Sequence, residues 1–200
     1  MAGNVNVLVL QDSLSLTDRK DYAVRALKAL MVRAIGKNLG SDADLAKILA
    51  GQLPTTLDVR EFQLNVLDLV AATVPAVDQW RTAPLVAPIG TPYSCFQAIP
   101  SPQMQNNRIA VFFKVAVEDV PLPVSRIIFR KGGVGGNIVA VYDLEFLSFA
   151  QNPVGYFSEP VVFDPSDVFA IQVITRIATG VFSRVILGAW TCEGKGGVIA

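Results

Sequence analysis

The residues that could perform chemistry are few, and a glycine-rich segment at residues 131–136 is the first candidate. Glycine-rich loops can cradle phosphate with their backbone amides. In a P-loop the lysine follows the glycines and opens a helix, whereas Lys131 precedes them here. The residues that follow, 138–142, are apolar and typical of a strand. We therefore expect a hairpin loop and no nucleotide site.

The 200 residues include no histidine. Histidine is the commonest general base and the commonest protein ligand of transition metals. Its absence excludes Ser-His-Asp and Cys-His catalysis within the chain, and histidine-ligated zinc, copper or non-haem iron. Acidic residues are scattered, and their spacing supports no pair of carboxylates for glycoside hydrolysis. We expect no catalytic residue, no metal, no cofactor and no small-molecule substrate.

The two cysteines, Cys95 and Cys192, are far apart and lie in different sequence contexts. Two such thiols suggest no disulfide framework and are typical of small buried side chains. We expect them to be unpaired.

Composition indicates what the chain contacts. Seventeen basic residues balance seventeen acidic ones, which disfavours nucleic acid as the main partner. Hydrophobic residues make up 52% and charged residues 17% of the chain. The longest apolar stretch, residues 64–77, is interrupted by Asp68 and Pro75, so no membrane span is predicted. We ascribe the apolar excess to subunit interfaces of a homo-oligomer.

Periodicity divides the chain into two halves. Apolar residues at three- and four-residue spacing predict helices at 17–37, 41–49 and 57–73. Alternation then predicts strands, the last two joined as a hairpin, at residues 94–98, 108–117, 124–130, 138–143, 144–149, 154–163, 168–176 and 181–192. The predicted fold class is α+β, with an N-terminal helical region followed by a C-terminal antiparallel β-sandwich of jelly-roll-like type. The predicted divisions are an arm (1–16), a helical region (17–82), a proline-rich linker (83–107) and the sandwich (108–200).

Candidate interface residues come from the arm and from the last two strands, whose faces are both apolar. A short terminal strand frays unless it is tied down, so we expect the arm to pair with a sheet edge, and with a neighbouring subunit in preference to its own. The candidate interface residues are Val5, Val7, Leu8, Val9, Leu10, Phe169, Ile171, Phe182, Ile186 and Trp190. A candidate basic strip for an acidic partner comprises Arg108, Arg126, Arg130 and Lys131.

The C-terminal part resembles structural proteins of tailed-bacteriophage particles. The resemblance is carried by Pro160, by Phe163-Asp164-Pro165-Ser166-Asp167-Val168-Phe169, by Leu187-Gly188-Ala189-Trp190 and by Glu193-Gly194-Lys195-Gly196. It implies a non-enzymatic minor capsid, decoration or tail-associated subunit that assembles in the host cytoplasm into the virion, with itself and other virion proteins as partners. The alternative is a receptor- or glycan-binding tail module that would use the loops at 132–136 and 103–107.

Overall fold

The computed structural model describes residues 6–37, 39, 41–52, 57–63, 81–82, 89–90, 92–95, 101–117, 122, 124–177 and 183–194. Within these residues, two helices and ten strands follow one another as β1 (Leu8–Leu10), α1 (Leu16–Gly36), α2 (Asp42–Leu49), β2 (Leu57–Gln63), β3 (Arg81–Thr82), β4 (Pro92–Ser94), β5 (Arg108–Val117), β6 (Val124–Lys131), β7 (Asn137–Asp143), β8 (Val154–Phe163), β9 (Phe169–Thr175) and β10 (Ser183–Gly194). Short 3₁₀ helices cover Gln11–Ser13 and Glu145–Phe149.

The strands form two antiparallel sheets. The first has the order β1-β8-β5-β10-β2, with β3 also paired to β10, and the second has the order β4-β9-β6-β7. The chain crosses from one sheet to the other after β3, β4, β5, β7, β8 and β9. Leaving out β1 and β3, these are the eight strands and two four-stranded sheets of a jelly roll. The predicted α+β class with a jelly-roll-like antiparallel sandwich is confirmed.

The first sheet is covered on both faces, and β5 shows why the chain is so apolar. Ala110 and Phe112 point into the core between the sheets, whereas Ile109, Val111 and Phe113 point to the other side. That other side packs under α1. Successive side chains of a strand point to opposite faces, so a strand between two cores is apolar at nearly every position.

Helix α1 begins at a capping box and lies on the first sheet. The Ser15 hydroxyl accepts from the Asp18 amide and the Asp18 carboxylate accepts from the Ser15 amide, which satisfies two amides of the first turn. Ala26, Leu30 and the other buried positions of α1 then fall on the stripe that faces the sheet. The helices and the sandwich therefore share a core.

The third predicted helix, 57–73, is wrong over the residues that the structure describes. Residues 57–63 form β2, which pairs along its length with β10 from Gly194 to Gly188. Leu57 is buried and Val59 half-buried against the α1 core, and Asp58 is exposed, so the segment alternates with a period of two. Pairing with a sheet edge outweighs the helix propensity of its Leu, Arg and Glu residues. Residues 64–73 of that prediction lie outside the described part.

Two strand predictions also need correction. The last two strands are not a hairpin, because β9 pairs with β4 and β6 in the second sheet whereas β10 pairs with β2, β3 and β5 in the first. Residues 144–149 are largely a 3₁₀ helix, begun where the Asp143 carboxylate accepts from the Glu145 amide at 2.9 Å. An Asp side chain that bonds the backbone two residues on favours a turn over a continued strand.

Candidate assembly surface

The N-terminal arm, defined here as residues 6–14, lies across one side of the sandwich and contacts both sheets. Leu8–Leu10 pairs antiparallel with residues 155–157 of β8. Asn6 forms an isolated parallel bridge with Tyr142 of β7, and its amide donates to the Val141 carbonyl at 2.7 Å. Strand β7 ends the second sheet, and β8 would end the first without the arm. The arm thus joins the edge strands of the two sheets.

Gly155 makes room for the side chain of Leu8. A Cβ atom at Gly155 would lie 2.7 to 2.9 Å from Cγ, Cδ2 and Cδ1 of Leu8. Carbon atoms in contact are normally about 3.5–4.0 Å apart. Leu8 and Leu10 also pack against the core between the sheets. We call this slot along β8 the arm groove, and any side chain at position 155 would force Leu8 to shift from its observed position.

The base of the arm is held by charged side chains. The Asp12 carboxylate accepts from the Gln151 amide at 2.8 Å, from the Asn152 amide at 3.2 Å and from the Asn152 side chain at 3.3 Å. These bonds, those from Asn152 foremost, lower the pKa of Asp12 below its usual value. The guanidinium of Arg19 on α1 donates to the backbone carbonyls at both ends of residues 11–14. The short turn between arm and helix therefore has a fixed path.

A small cleft of about 120 Å³ lies beside Asn6, where the arm meets β7 and β8. The Tyr142 hydroxyl donates to the Glu159 carbonyl and accepts from the Asn6 side-chain amide at 3.4 Å. Burial raises the pKa of Tyr142, so this hydroxyl stays protonated at neutral pH. Small-molecule sites usually measure about 300–1,000 Å³, which makes this cleft a packing feature of the arm.

Two phenylalanines are exposed beside the base of the arm. Phe146 and Phe149 are 60% and 83% exposed, whereas Leu147 between them is 1% exposed. Residues three apart eclipse in a 3₁₀ helix, so the two rings share one face while Leu147 anchors the helix from the other side. The chain runs on directly to the residues that hold Asp12. We call Phe146 and Phe149 the aromatic pair.

The arm residues predicted from sequence divide by face. Leu8 and Leu10 are half-buried against the sandwich core, Val9 is half-buried, and Val7 is 63% exposed. In the structure the arm pairs with a sheet edge, and that edge is the chain's own β8. Assignment of that edge to a neighbouring subunit stays a prediction. Val5 lies outside the described residues.

The predicted interface residues of the last two strands mostly face inward. Phe169 and Ile171 are fully buried between the two sheets, so they are not available to another subunit and this assignment is wrong. Trp190 packs under α1, stacks on Phe113 and donates to the Ala23 carbonyl at 3.0 Å. It is half-buried against the core under α1. Ile186 is half-buried on β10, and Phe182 lies outside the described residues.

The four cations of the predicted basic strip do not form one surface. Arg108 is 1% exposed and donates to the Glu193 carboxylate at 2.6 and 3.1 Å, so it belongs to the interior. Lys131 pairs with Asp167 at 2.7 Å. The strip is therefore wrong as predicted, because the fold pairs these side chains with its own carboxylates.

Arg126 and Arg130 do share the outer face of the second sheet, as their spacing on β6 predicts. They lie opposite Ile174 and Ala170 of β9. Arg126 is exposed. Arg130 is half-buried and donates to the Gln172 side chain at 2.8 Å and to the Gly136 carbonyl at 2.9 Å, which also holds the end of the glycine-rich loop.

The Asp164–Asp167 turn fixes the connection between β8 and β9. Arg33 of α1 donates two hydrogen bonds to the Asp164 carboxylate, and Lys131 lies 3.6 Å from it. The Arg33 hydrogen bond is the main cause that lowers the pKa of Asp164. The Asp164 amide donates to the Asp167 carboxylate at 2.8 Å, and Ser166 takes a positive φ of 64°. Each charge has a structural partner, so the turn ties helix and sheet together.

Both cysteines are free and buried, which confirms the prediction that they do not pair. Cys95 belongs to the core between the sheets and Cys192 to the core under α1, so the first sheet separates them. Burial raises the pKa of each thiol to about 12.

Among the residues that the structure describes, no group of three His, Cys, Asp or Glu side chains is placed to hold a metal ion. Neither helix in this part of the chain combines the length and apolar character that a membrane-crossing helix requires.

Sequence reasoning missed the roles of Gly155, Asp12 and the aromatic pair. Gly155 has an ordinary strand conformation, and only the register with β1 gives it a purpose. The i, i+3 spacing of Phe146 and Phe149 is visible in the sequence, but the apolar run at 144–149 predicts a strand. Asp12 gave no signal, because its partners are 139 and 140 residues away along the chain.

No family model and no curated protein matches the chain. One similar solved structure is described as "Bacillus endospore appendages form a novel family of disulfide-linked pili". It covers 70% of this chain and 88% of the other chain, with 14% sequence identity and a TM-score of 0.32. Similarity of this degree defines neither a shared family nor a shared activity.

Proposed function

We propose that the chain is a non-enzymatic virion structural protein, of minor capsid or decoration type, that assembles with copies of itself and packs against other capsid or tail subunits. The jelly roll is an architecture of viral capsid subunits, of lectins and of cupins. A fold does not by itself define function, so the choice among these rests on the surface and on the residues it presents.

The aromatic pair is the observation that carries this proposal. Burying one Phe side chain stabilises a folded or assembled state by about 1.5–3 kcal/mol. Phe146 and Phe149 are mostly exposed in the single chain, so most of this free energy can be gained only when another surface covers them. Aromatic residues are enriched at the centres of protein interfaces. Exposed on one face of a short helix anchored by Leu147, they suit an assembly contact.

The polar clusters of the described residues support the same function. Arg108 with Glu193, Arg33 with Asp164 and Lys131 with Asp167 are ion pairs that join strands, helix and loop. They lie where elements meet, so these charged side chains are paired within the fold.

The direct test is the mass of the purified full chain by size-exclusion chromatography with light scattering. We expect an oligomer at micromolar concentration. A variant with Phe146→Ser and Phe149→Ser should dissociate at least tenfold more readily, because it removes the apolar contact. Val32→Ser on α1, at a residue 63% exposed, is the matched control and should assemble like the parent chain. A monomer that also lacks affinity for capsid or tail components would contradict the proposal.

A second candidate, recognition of a receptor or glycan, has one observation in its favour. The two loops that the sequence assigned to it both contact Val168: the Gly132 amide donates to the Val168 carbonyl at 2.7 Å, and Gln103 forms an isolated antiparallel bridge with Val168. The Val134 amide donates to the Ser101 hydroxyl at 3.1 Å, and Gln103 donates to the Ser166 carbonyl at 3.0 Å. A glycan array probed with the full chain separates the candidates. Binding that is lost when the 132–136 loop is changed supports recognition, and an array without hits leaves the assembly role.

A further inference from the structure

The arm groove is built for one segment of this chain, and nothing in its chemistry requires that segment to come from the same molecule. Its contacts are backbone pairing with residues 155–157, the slot over Gly155 and the anchors at Asn6 and Asp12. The contacts of residues 6–10 would form identically with the arm of a second copy. We propose that, in the assembly, the arm of each subunit fills the groove of a neighbouring subunit. This exchange rests on the proposed function, because it requires that the chain assembles.

The connection between arm and helix gives the exchange a hinge. Residues 11–15 separate β1 from α1, and their compact form is held by Arg19. Extended, five residues span about 17 Å at about 3.3–3.6 Å each. Straightening this turn would carry residues 6–10 to a neighbouring subunit while they keep their contacts in the groove. Exchange of an identical element between subunits is a low-cost route to assembly for this reason.

The position of the aromatic pair favours a neighbour at this edge. Phe149 is followed within three residues by Gln151 and Asn152, the groove residues that bind Asp12. Val7, which is 63% exposed, points away from the sandwich core. A second copy seated on the aromatic pair would therefore bring its own arm close to this groove. One contact surface would then bury the aromatic pair and allow the arms to be exchanged.

A paired-cysteine variant tests the exchange. The Ser158 amide donates to the Val7 carbonyl at 3.0 Å, which extends the β1–β8 ladder by one pair. Directly opposed, hydrogen-bonded residues of antiparallel strands have Cα atoms about 5.5 Å apart, within the range that a disulfide spans. The variant is Val7→Cys with Ser158→Cys, and Val7→Cys with Val32→Cys is the control, at an exposed residue of α1 outside the ladder. The native cysteines are buried and do not compete.

Each variant is oxidised in the assembled state and run on a non-reducing denaturing gel beside a light-scattering measurement. Exchange predicts a ladder of covalent dimers and larger species from the Ser158 variant and at least tenfold less from the control. Oligomers that yield only an internally crosslinked monomer overturn the exchange and leave the proposed function standing. Absence of any disulfide in the Ser158 variant also overturns it, because the groove would then not hold the arm. A monomer by light scattering overturns both.

Discussion

Docking of the arm can be tested through the contact between Leu8 and Gly155. In Gly155→Ala the new Cβ would lie 2.7 Å from Leu8 Cγ, so the leucine must leave its slot. Leu8 is half-buried, and losing its packing costs roughly 1–2 kcal/mol of the free energy of unfolding. Gly155 does not have a positive φ, so alanine can adopt its backbone conformation. Alanine also restricts the unfolded chain, which stabilises the folded protein by about 0.4–1 kcal/mol. The net effect is a destabilisation of about 0.5–1 kcal/mol.

In a Leu8→Ala background the slot is empty and only the effect on the unfolded chain remains. Gly155→Ala should then stabilise by about 0.4–1 kcal/mol, so its sign reverses and the two sites couple by roughly 1–2 kcal/mol. The measurement is urea unfolding of the four chains at one fixed concentration. Gly135→Ala, where a Cβ meets no atom within 4 Å, is the control and should have the same effect in both backgrounds. Additivity of Leu8→Ala and Gly155→Ala within about 0.5 kcal/mol would refute the docking geometry.

Three further outcomes are expected. Glu193→Ala leaves Arg108 buried without its carboxylate and should cost about 3–5 kcal/mol in urea unfolding, whereas Glu61→Ala, which removes an exposed ion pair, should cost at most about 1 kcal/mol. The Arg33 hydrogen bond lowers the pKa of Asp164 in the folded state, so stability from this group is present above the unfolded value of about 3.9 and is lost as pH falls through the folded value. Unfolding followed from pH 6 to pH 2 should therefore show a shallower acid decline for Asp164→Asn. The two buried thiols, with pKa values raised to about 12, should react with a thiol reagent at pH 8 only after urea unfolding, and fast labelling of the native chain would contradict their burial.

The sequence is a good guide to elements that one pattern determines. Predicted strands at 108–117 and 154–163 match β5 and β8 at both ends, and predicted helices at 17–37 and 41–49 match α1 and α2 to within one residue. It fails where pairing determines the structure. Residues 57–63 carry helix-forming side chains and become a strand because β10 presents an edge. The β9–β10 connection looks local, yet it crosses between sheets, and only the set of partners of each strand distinguishes these topologies.

The candidate site depends even more on long-range placement. The arm could be identified from its apolar residues in a terminal segment, and the need for a sheet edge followed from the physics of an unpaired strand. The groove could not be identified, because β7, β8 and Asn152 come together only in the fold. Charged residues show the same limit. Arg108 and Arg126 look alike in sequence, and burial opposite Glu193 makes one of them a structural residue.

The two cores of the fold change what the apolar composition implies about assembly. Read from sequence, a hydrophobic fraction of 52% required subunit interfaces to absorb it. In the structure α1 covers the outer face of the first sheet, so β5 buries nearly every side chain within the chain. Composition alone therefore does not require an oligomer. An oligomer is favoured instead by the aromatic pair, whose members are 60% and 83% exposed. The pair lies beside a groove whose contacts do not depend on which copy supplies the arm. An assembly built there would use one edge of the sandwich and leave the helix-covered face free for other partners.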